Sequence, residues 1–207
     1  MKVEEKNFRE IYKKICLLKS SELVEKINLR DVFDYPPEEN LNGFVTYGFI
    51  NLNHEFVFEI LAGAKISGEK IKIFPASYKK NIFFRRAEIE NVEIKILSED
   101  YQTAFQDKVQ VIDDKNKFGE VLEKIRAAED LDELRHPNFP DDVAVLFYGE
   151  NFRPEYAWVR CENIEEKFIV GKLLNNLQQN FGYEVGDKIK FGLTNFEGEN
   201  ICVMFEK

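Results

Sequence analysis

From Tyr156 to Phe205 the chain alternates apolar and polar residues in short runs separated by polar turns. Ala157-Trp158-Val159-Arg160 is followed by Gly171-Lys172-Leu173-Leu174-Asn175. Then comes Tyr183-Glu184-Val185-Gly186-Asp187-Lys188-Ile189-Lys190-Phe191. A period of two puts one face of each run on a core and the other in water. A glycine at the Gly186-Asp187 corner admits positive φ, and the aspartate can bond the backbone amides that follow it. Hairpin-length links leave no room for crossover helices, so the pattern predicts antiparallel strands in a small, strongly bent, barrel-like sheet. It constrains the fold and specifies no reaction.

Upstream, Phe8, Ile11, Tyr12, Ile15 and Leu18 recur at helical spacing, which predicts an amphipathic helix over 4–19. Ser20-Ser21-Glu22 ends it and caps a short second helix over 22–28. Strands are expected at 44–52 and 55–61 around an Asn53-His54 turn, then at 70–74. One or two more are expected within 81–97, and another at 108–112. Asp113 to Asn116 is a charged break, after which Phe118, Val121, Leu122 and Ile125 mark a helix over 117–128. Strands follow at 143–148, 156–162, 168–174, 188–193 and 201–205, with Glu197-Gly198-Glu199-Asn200 as a tight hairpin. Helix gives way to strand twice. The expectation is therefore an α+β protein of two small units, 1–114 and 115–207, each with helices on a mostly antiparallel sheet.

With 207 residues, 44% hydrophobic content and 19 phenylalanines, such a chain can bury a core. The longest apolar runs, such as Val143 to Tyr148, are too short to cross a bilayer, and Met1 to Lys6 lacks a signal peptide's apolar centre. Cys16, Cys161 and Cys202 are odd in number and widely spaced, as expected of a reducing cytoplasm. Charge is uneven. Residues 1–112 carry 18 acidic and 17 basic groups, and residues 113–207 carry 20 and 12, so the second window holds −8 of the net −9. Its field repels phosphate backbones and attracts basic surfaces.

Chemical constellations are sparse. His54 and His136 have no second ligand at i+3 or i+4, so no metal site is expected. No G-x-S-x-G occurs, and Gly63-Ala64-Lys65-Ile66-Ser67-Gly68 lacks Walker spacing, so no cofactor is expected. Cys161 shares a strand face with Val159 and reads as a core thiol. Tyr78-Lys79-Lys80-Asn81-Ile82-Phe83-Phe84-Arg85-Arg86 interleaves basic and aromatic residues, but a pI near 5.0 argues against nucleic acid as partner. The most distinctive loop is Arg135-His136-Pro137-Asn138-Phe139-Pro140, which its prolines keep out of a helix. It reads either as a contact loop or as a linker docking a helix on a sheet. With Glu129, Asp130, Asp132 and Glu133 before it and Asp141 and Asp142 after it, His136 and Phe139 make a candidate partner-binding surface. Trp158 is either core or an interface anchor.

The pattern Trp158-Val159-Arg160, then Gly171, Leu173 and Asn175, then Gly186-Asp187, Ile189 and Phe191 resembles a group of bacterial domains of unknown function. The resemblance covers about the last fifty residues and implies a compact barrel-like fold. Some of those relatives look like immunity or accessory proteins beside polymorphic toxin genes, and others have no assigned role. The resemblance implies a non-enzymatic intracellular protein. With the acidic C-terminal half as a steering field, the expectation is a non-catalytic module that binds a basic protein partner, an immunity protein masking a basic toxin surface being one form of it. The alternatives are an enzyme or small-ligand protein with its site between the two units, and a structural or regulatory oligomer.

Overall fold

The computed structural model describes residues 1–77 and 80–205. The chain divides into two compact units, Met1–Lys117 and Phe118–Lys207. The first opens with α1 (Phe8–Ile11), β1 (Lys14–Lys19), α2 (Ser21–Lys26) and α3 (Leu29–Val32). It continues with β2 (Gly43–Ile50), β3 (Phe56–Ser67), β4 (Lys70–Pro75), β5 (Phe83–Arg85) and β6 (Glu93–Ile96), and ends with α4 (Glu99–Ala104) and α5 (Gln106–Lys115). Among the described residues its strands form one antiparallel sheet in the order β4-β3-β2-β1-β6, with β5 also on β3.

The long helix expected over 4–19 is instead one short turn and a strand. Asn7 and Glu10 form a capping box that starts α1, and Lys13 at φ 55° ends the turn. Ile15 to Leu18 then lie extended between β2 and β6, all four buried. Ile15 and Leu17 join the apolar cluster on one face of the sheet, and Cys16 and Leu18 the cluster on the other. A run buried on both faces carries no alternation to betray it. Spacings of three and four residues across two elements imitate a helix there. The strand expected at 108–112 is the middle of α5, where Ile112 packs on the sheet and Asp113 and Lys115 complete the last turn. Asp113 to Lys115 are thus helical rather than a break.

The second unit contains α6 (Glu120–Ala127), a 3-10 turn over Glu129–Leu134, β7 (Arg135–His136), β8 (Phe139–Gly149) and β9 (Phe152–Glu165). Strands β10 (Phe168–Leu173), β11 (Lys188–Phe196) and β12 (Glu199–Met204) complete it. β8 to β12 form an antiparallel meander, and β12 closes on β8 in parallel through Cys202↔Val145 and Val203↔Leu146. The result is a five-stranded barrel with β7 added at the rim. Side chains fill its interior. Val143, Val145, Val159, Leu173, Ile189 and Phe191 point inward, joined by Leu122, Ile125 and Leu131 from α6 and the 3-10 turn. Phe181 and Tyr183 pack edge-on against Phe147. The protein is an α+β molecule with a barrel-like C-terminal unit.

Candidate partner-binding site

The site is built where α6, the 3-10 turn and the β7–β8 hairpin meet the outer face of the barrel. Arg135-His136-Pro137-Asn138-Phe139-Pro140 is a tight hairpin. Pro137 and Asn138 make the turn, and His136 pairs with Phe139. Arg135 is 6% exposed and points back at α6. Its guanidinium donates to the carbonyls of Ile125 (2.7 Å), Ala128 (3.3 Å) and Pro140 (2.8 Å), and to the Asp132 carboxylate (3.1 Å). The carbonyls of Ile125 and Ala128 at the end of α6, which already accept backbone amides, thereby gain a second, charged donor. The loop does dock a helix on the sheet, by way of this arginine.

The eight candidate residues divide into three groups. Asp141 and Asp142 are not surface acids, being 0% and 5% exposed. Asp141 accepts two bonds from Arg126, at 2.8 and 2.7 Å, and the same guanidinium donates to Glu123 at 2.8 Å. Phe118 covers that guanidinium at 4.2 Å. Asp142 accepts two bonds from Arg160, at 2.7 and 2.9 Å, across the β8–β9 pair. Those bonds hold the Arg160 guanidinium above its ordinary pKa against the opposing effect of burial. Asp132 is engaged by Arg135. Burying a carboxylate costs several kcal/mol unless a cation and hydrogen bonds satisfy it, so these three are structural. Glu129, Asp130 and Glu133 remain exposed on the 3-10 turn. Net −8 persists in this unit, with 18 acidic against 10 basic residues over 118–207.

His136 and Phe139 form the third group, and the structure joins Trp158 to them. The His136 ring lies edge-on to Trp158 at 4.9 Å and to Phe139 at 5.3 Å, and its Nδ1 accepts from the Asn138 amide at 3.2 Å. Ala157, Val159 and Cys161 are 3%, 0% and 1% exposed, so alternation along β9 turns Tyr156, Trp158 and Arg160 outward. Trp158 is therefore half-buried on the outer wall rather than in the core. Cross-strand pairs set Ala144 beside Trp158 and Leu146 beside Tyr156, with Val203 beyond Leu146. Tyr148 and Tyr156 are 52% and 54% exposed. Sequence reasoning singled out Trp158 of this outward row, as core or interface anchor, and left out Tyr148 and Tyr156. The signal for the row was present in the inward set Ala157, Val159 and Cys161.

Reactive groups elsewhere are held inert. Burial pushes the thiols of Cys16 and Cys202 up to about 12 and that of Cys161 higher still. Thiolate, the nucleophilic form, is therefore scarce at neutral pH. Among the described residues no group of three His, Cys, Asp or Glu side chains is placed to hold a metal ion, and no helix is long and apolar enough to cross a membrane. Of the basic–aromatic run, Tyr78 and Lys79 lie outside the described residues. Phe83 and Phe84 point to opposite faces, Arg85 pairs with Glu55 and Glu88, and Arg86 is buried with a 2.6 Å bond to the Lys6 carbonyl.

The Gly186-Asp187 corner is built by its backbone. Gly186 has φ 99°, its amide donates to the Leu173 carbonyl at 2.8 Å, and Asp187 Oδ2 accepts from the amide of Glu184 at 2.9 Å. The aspartate thus bonds the amide before the corner, not those after it. Scans against protein-family models, curated proteins and solved structures return no match.

Proposed function

We propose that this protein is a protein-binding module whose C-terminal barrel docks a basic protein surface. The observation that carries this reading is the presence of two kinds of surface in neighbouring elements of the C-terminal unit. Exposed Glu129, Asp130 and Glu133 lie just ahead of a hairpin that sets His136 and Phe139 around Trp158. Aromatic anchors beside a charged rim are the usual composition of an interface centre. The acids supply long-range attraction and the aromatic row supplies contact area. The resemblance of the last fifty residues to domains of unknown function, some of which look like immunity proteins, together with the acidic charge, is our reason for taking a basic toxin as the partner class, which the module would mask.

The full-length chain, immobilised, should retrieve the partner from the source cells. Two variants run beside it, Glu129→Lys/Asp130→Lys/Glu133→Lys and Trp158→Ala. A protein of net positive charge, enriched on the native chain and depleted about tenfold or more on both variants, is the expected result. Equal retention on all three baits would refute the assignment. Asp132, Asp141 and Asp142 are left intact because their carboxylates hold the fold.

A further inference from the structure

We propose that the free edge of β4 in the N-terminal unit is a strand-addition site for an extended segment of another protein, alternating apolar and arginine side chains. β4 ends the sheet, with β3 on one side and no strand on the other among the described residues. The direction of its peptide groups follows from Asn42. The Asn42 amide donates to the Ala64 carbonyl at 3.0 Å, and its side chain bonds both the amide (2.7 Å) and the carbonyl (2.9 Å) of Ile66. Ala64 and Ile66 therefore turn their backbone groups away from β4. Their cross-strand partners are Ile73 and Ile71, so these two residues turn theirs toward the open edge. Pro75, two positions on, has no amide to lose there, as suits an edge.

A pocket lies on each face of this edge. One, of 480 Å³, is lined by Phe33, Tyr35, Pro37 and Phe74 with Glu38 and Glu39. The other, of 580 Å³, is lined by Tyr101, Ala104 and Phe105 with Asp100. Ile73 and Pro75 border both. A strand added to an edge sends successive side chains to opposite faces, so one row would enter each pocket while its backbone bonds Ile71 and Ile73.

The two pockets ask for different side chains. On the Phe74 face, Lys72 is paired with Glu39 and stands 5.2 Å from the Phe74 ring. With Lys70 on that face as well, the two lysines balance Glu38 and Glu39, so the aromatic and proline lining favours an uncharged apolar group. On the other face, two aromatic rings and Asp100, which has no ion-pair partner among the described residues, suit a guanidinium. A second copy of this chain fits poorly, because antiparallel self-pairing of β4 sets lysine against lysine.

The test uses the full-length protein and an end-capped hexapeptide of alternating phenylalanine and arginine. Fluorescence anisotropy gives the affinity, and amide hydrogen exchange reports Ile71 and Ile73. The expected result is saturable binding with new protection at those two amides. Ile73→Pro removes an outward amide and leaves the β3 ladder intact. Ala104→Arg, at an exposed position, blocks the second pocket without touching the core. Each variant should weaken binding about tenfold or more, as should glutamate in place of the peptide's arginines. Four outcomes overturn the proposal. They are no saturable binding up to about 1 mM, unchanged affinity in both variants, equal affinity for the glutamate peptide, and dimerisation of the protein through β4 in place of peptide binding.

Discussion

Three arginines explain why half of the acidic cluster is unavailable to a partner. Arg126, Arg135 and Arg160 each engage one carboxylate of the set, and each also braces a helix end or a strand pair. The same logic operates in the N-terminal unit, where Glu59 of β3 is 3% exposed and Lys108 of α5 is 6% exposed. Lys108 Nζ donates to the Ile60 carbonyl at 2.7 Å, and the hydroxyl of Tyr47, which pairs with Glu59 across β2 and β3, donates to Asp113 at 3.0 Å. Burial raises the Glu59 carboxyl and lowers the Lys108 ammonium, and each draws the other back toward its charged form. Lys108→Met should therefore cost about 1–3 kcal/mol at neutral pH, since it removes the Nζ bond to the Ile60 carbonyl and one of the two positive charges, with Lys115, that offset the burial of the Glu59 carboxylate. The sign with pH is fixed by the raised Glu59. A carboxyl whose folded pKa exceeds its unfolded value of about 4.3 binds more protons when folded, so stability is greater below that value and is lost as pH rises through the folded pKa. Chemical denaturation of the variant across that window should show the deficit shrinking as pH falls. A deficit independent of pH would mean that only packing was lost. In the sequence, the acids around residue 130 were legible as a charged surface, but their division was not. Asp141 and Asp142 differ from Asp130 only through partners 15 and 18 residues away.

At the scale of elements, strands bounded by turn residues were legible and strands buried on both faces were not. β9 to β12 announce themselves because Ala157, Val159 and Cys161 alternate with outward residues, and Glu197 and Gly198 at φ 53° and 94° close the last hairpin. β1 and α5 were misread for opposite reasons. The apolar run of β1 serves two cores at once. In α5, Lys108, Val109 and Ile112 imitate a strand through a short apolar stretch whose true period shows only over the whole helix. The Gly186 corner carries a prediction of its own. A Cβ there would meet only Lys172 Cε at 3.6 Å, so space is not limiting and the cost lies in φ 99°. Gly186→Val should lower unfolding free energy by about 1–3 kcal/mol in denaturant titration, with partner binding intact. Unchanged stability with lost binding would make the corner part of the site.

Across the whole molecule, charge and exposed aromatic rings divide unequally between the units. Over 1–117 there are 20 acidic and 19 basic residues, net −1, against −8 for the barrel unit. The barrel's interior is occupied by its own side chains, so its outer wall is where recognition can occur, and Trp158, the single tryptophan, stands on that wall. Steering by exposed charges acts on association, whereas a buried aromatic contact acts on dissociation. The two features of the site thus have separable kinetic signatures. The most direct measurement is stopped-flow association of the full-length protein with the basic partner proposed above, at low and high salt, for the native chain, the Glu129→Lys/Asp130→Lys/Glu133→Lys variant and Trp158→Ala. We predict an on-rate that falls about tenfold or more with added salt and similarly in the triple variant, and a faster off-rate at nearly native on-rate for Trp158→Ala. An on-rate indifferent both to salt and to the triple reversal would contradict an acidic docking surface on this barrel.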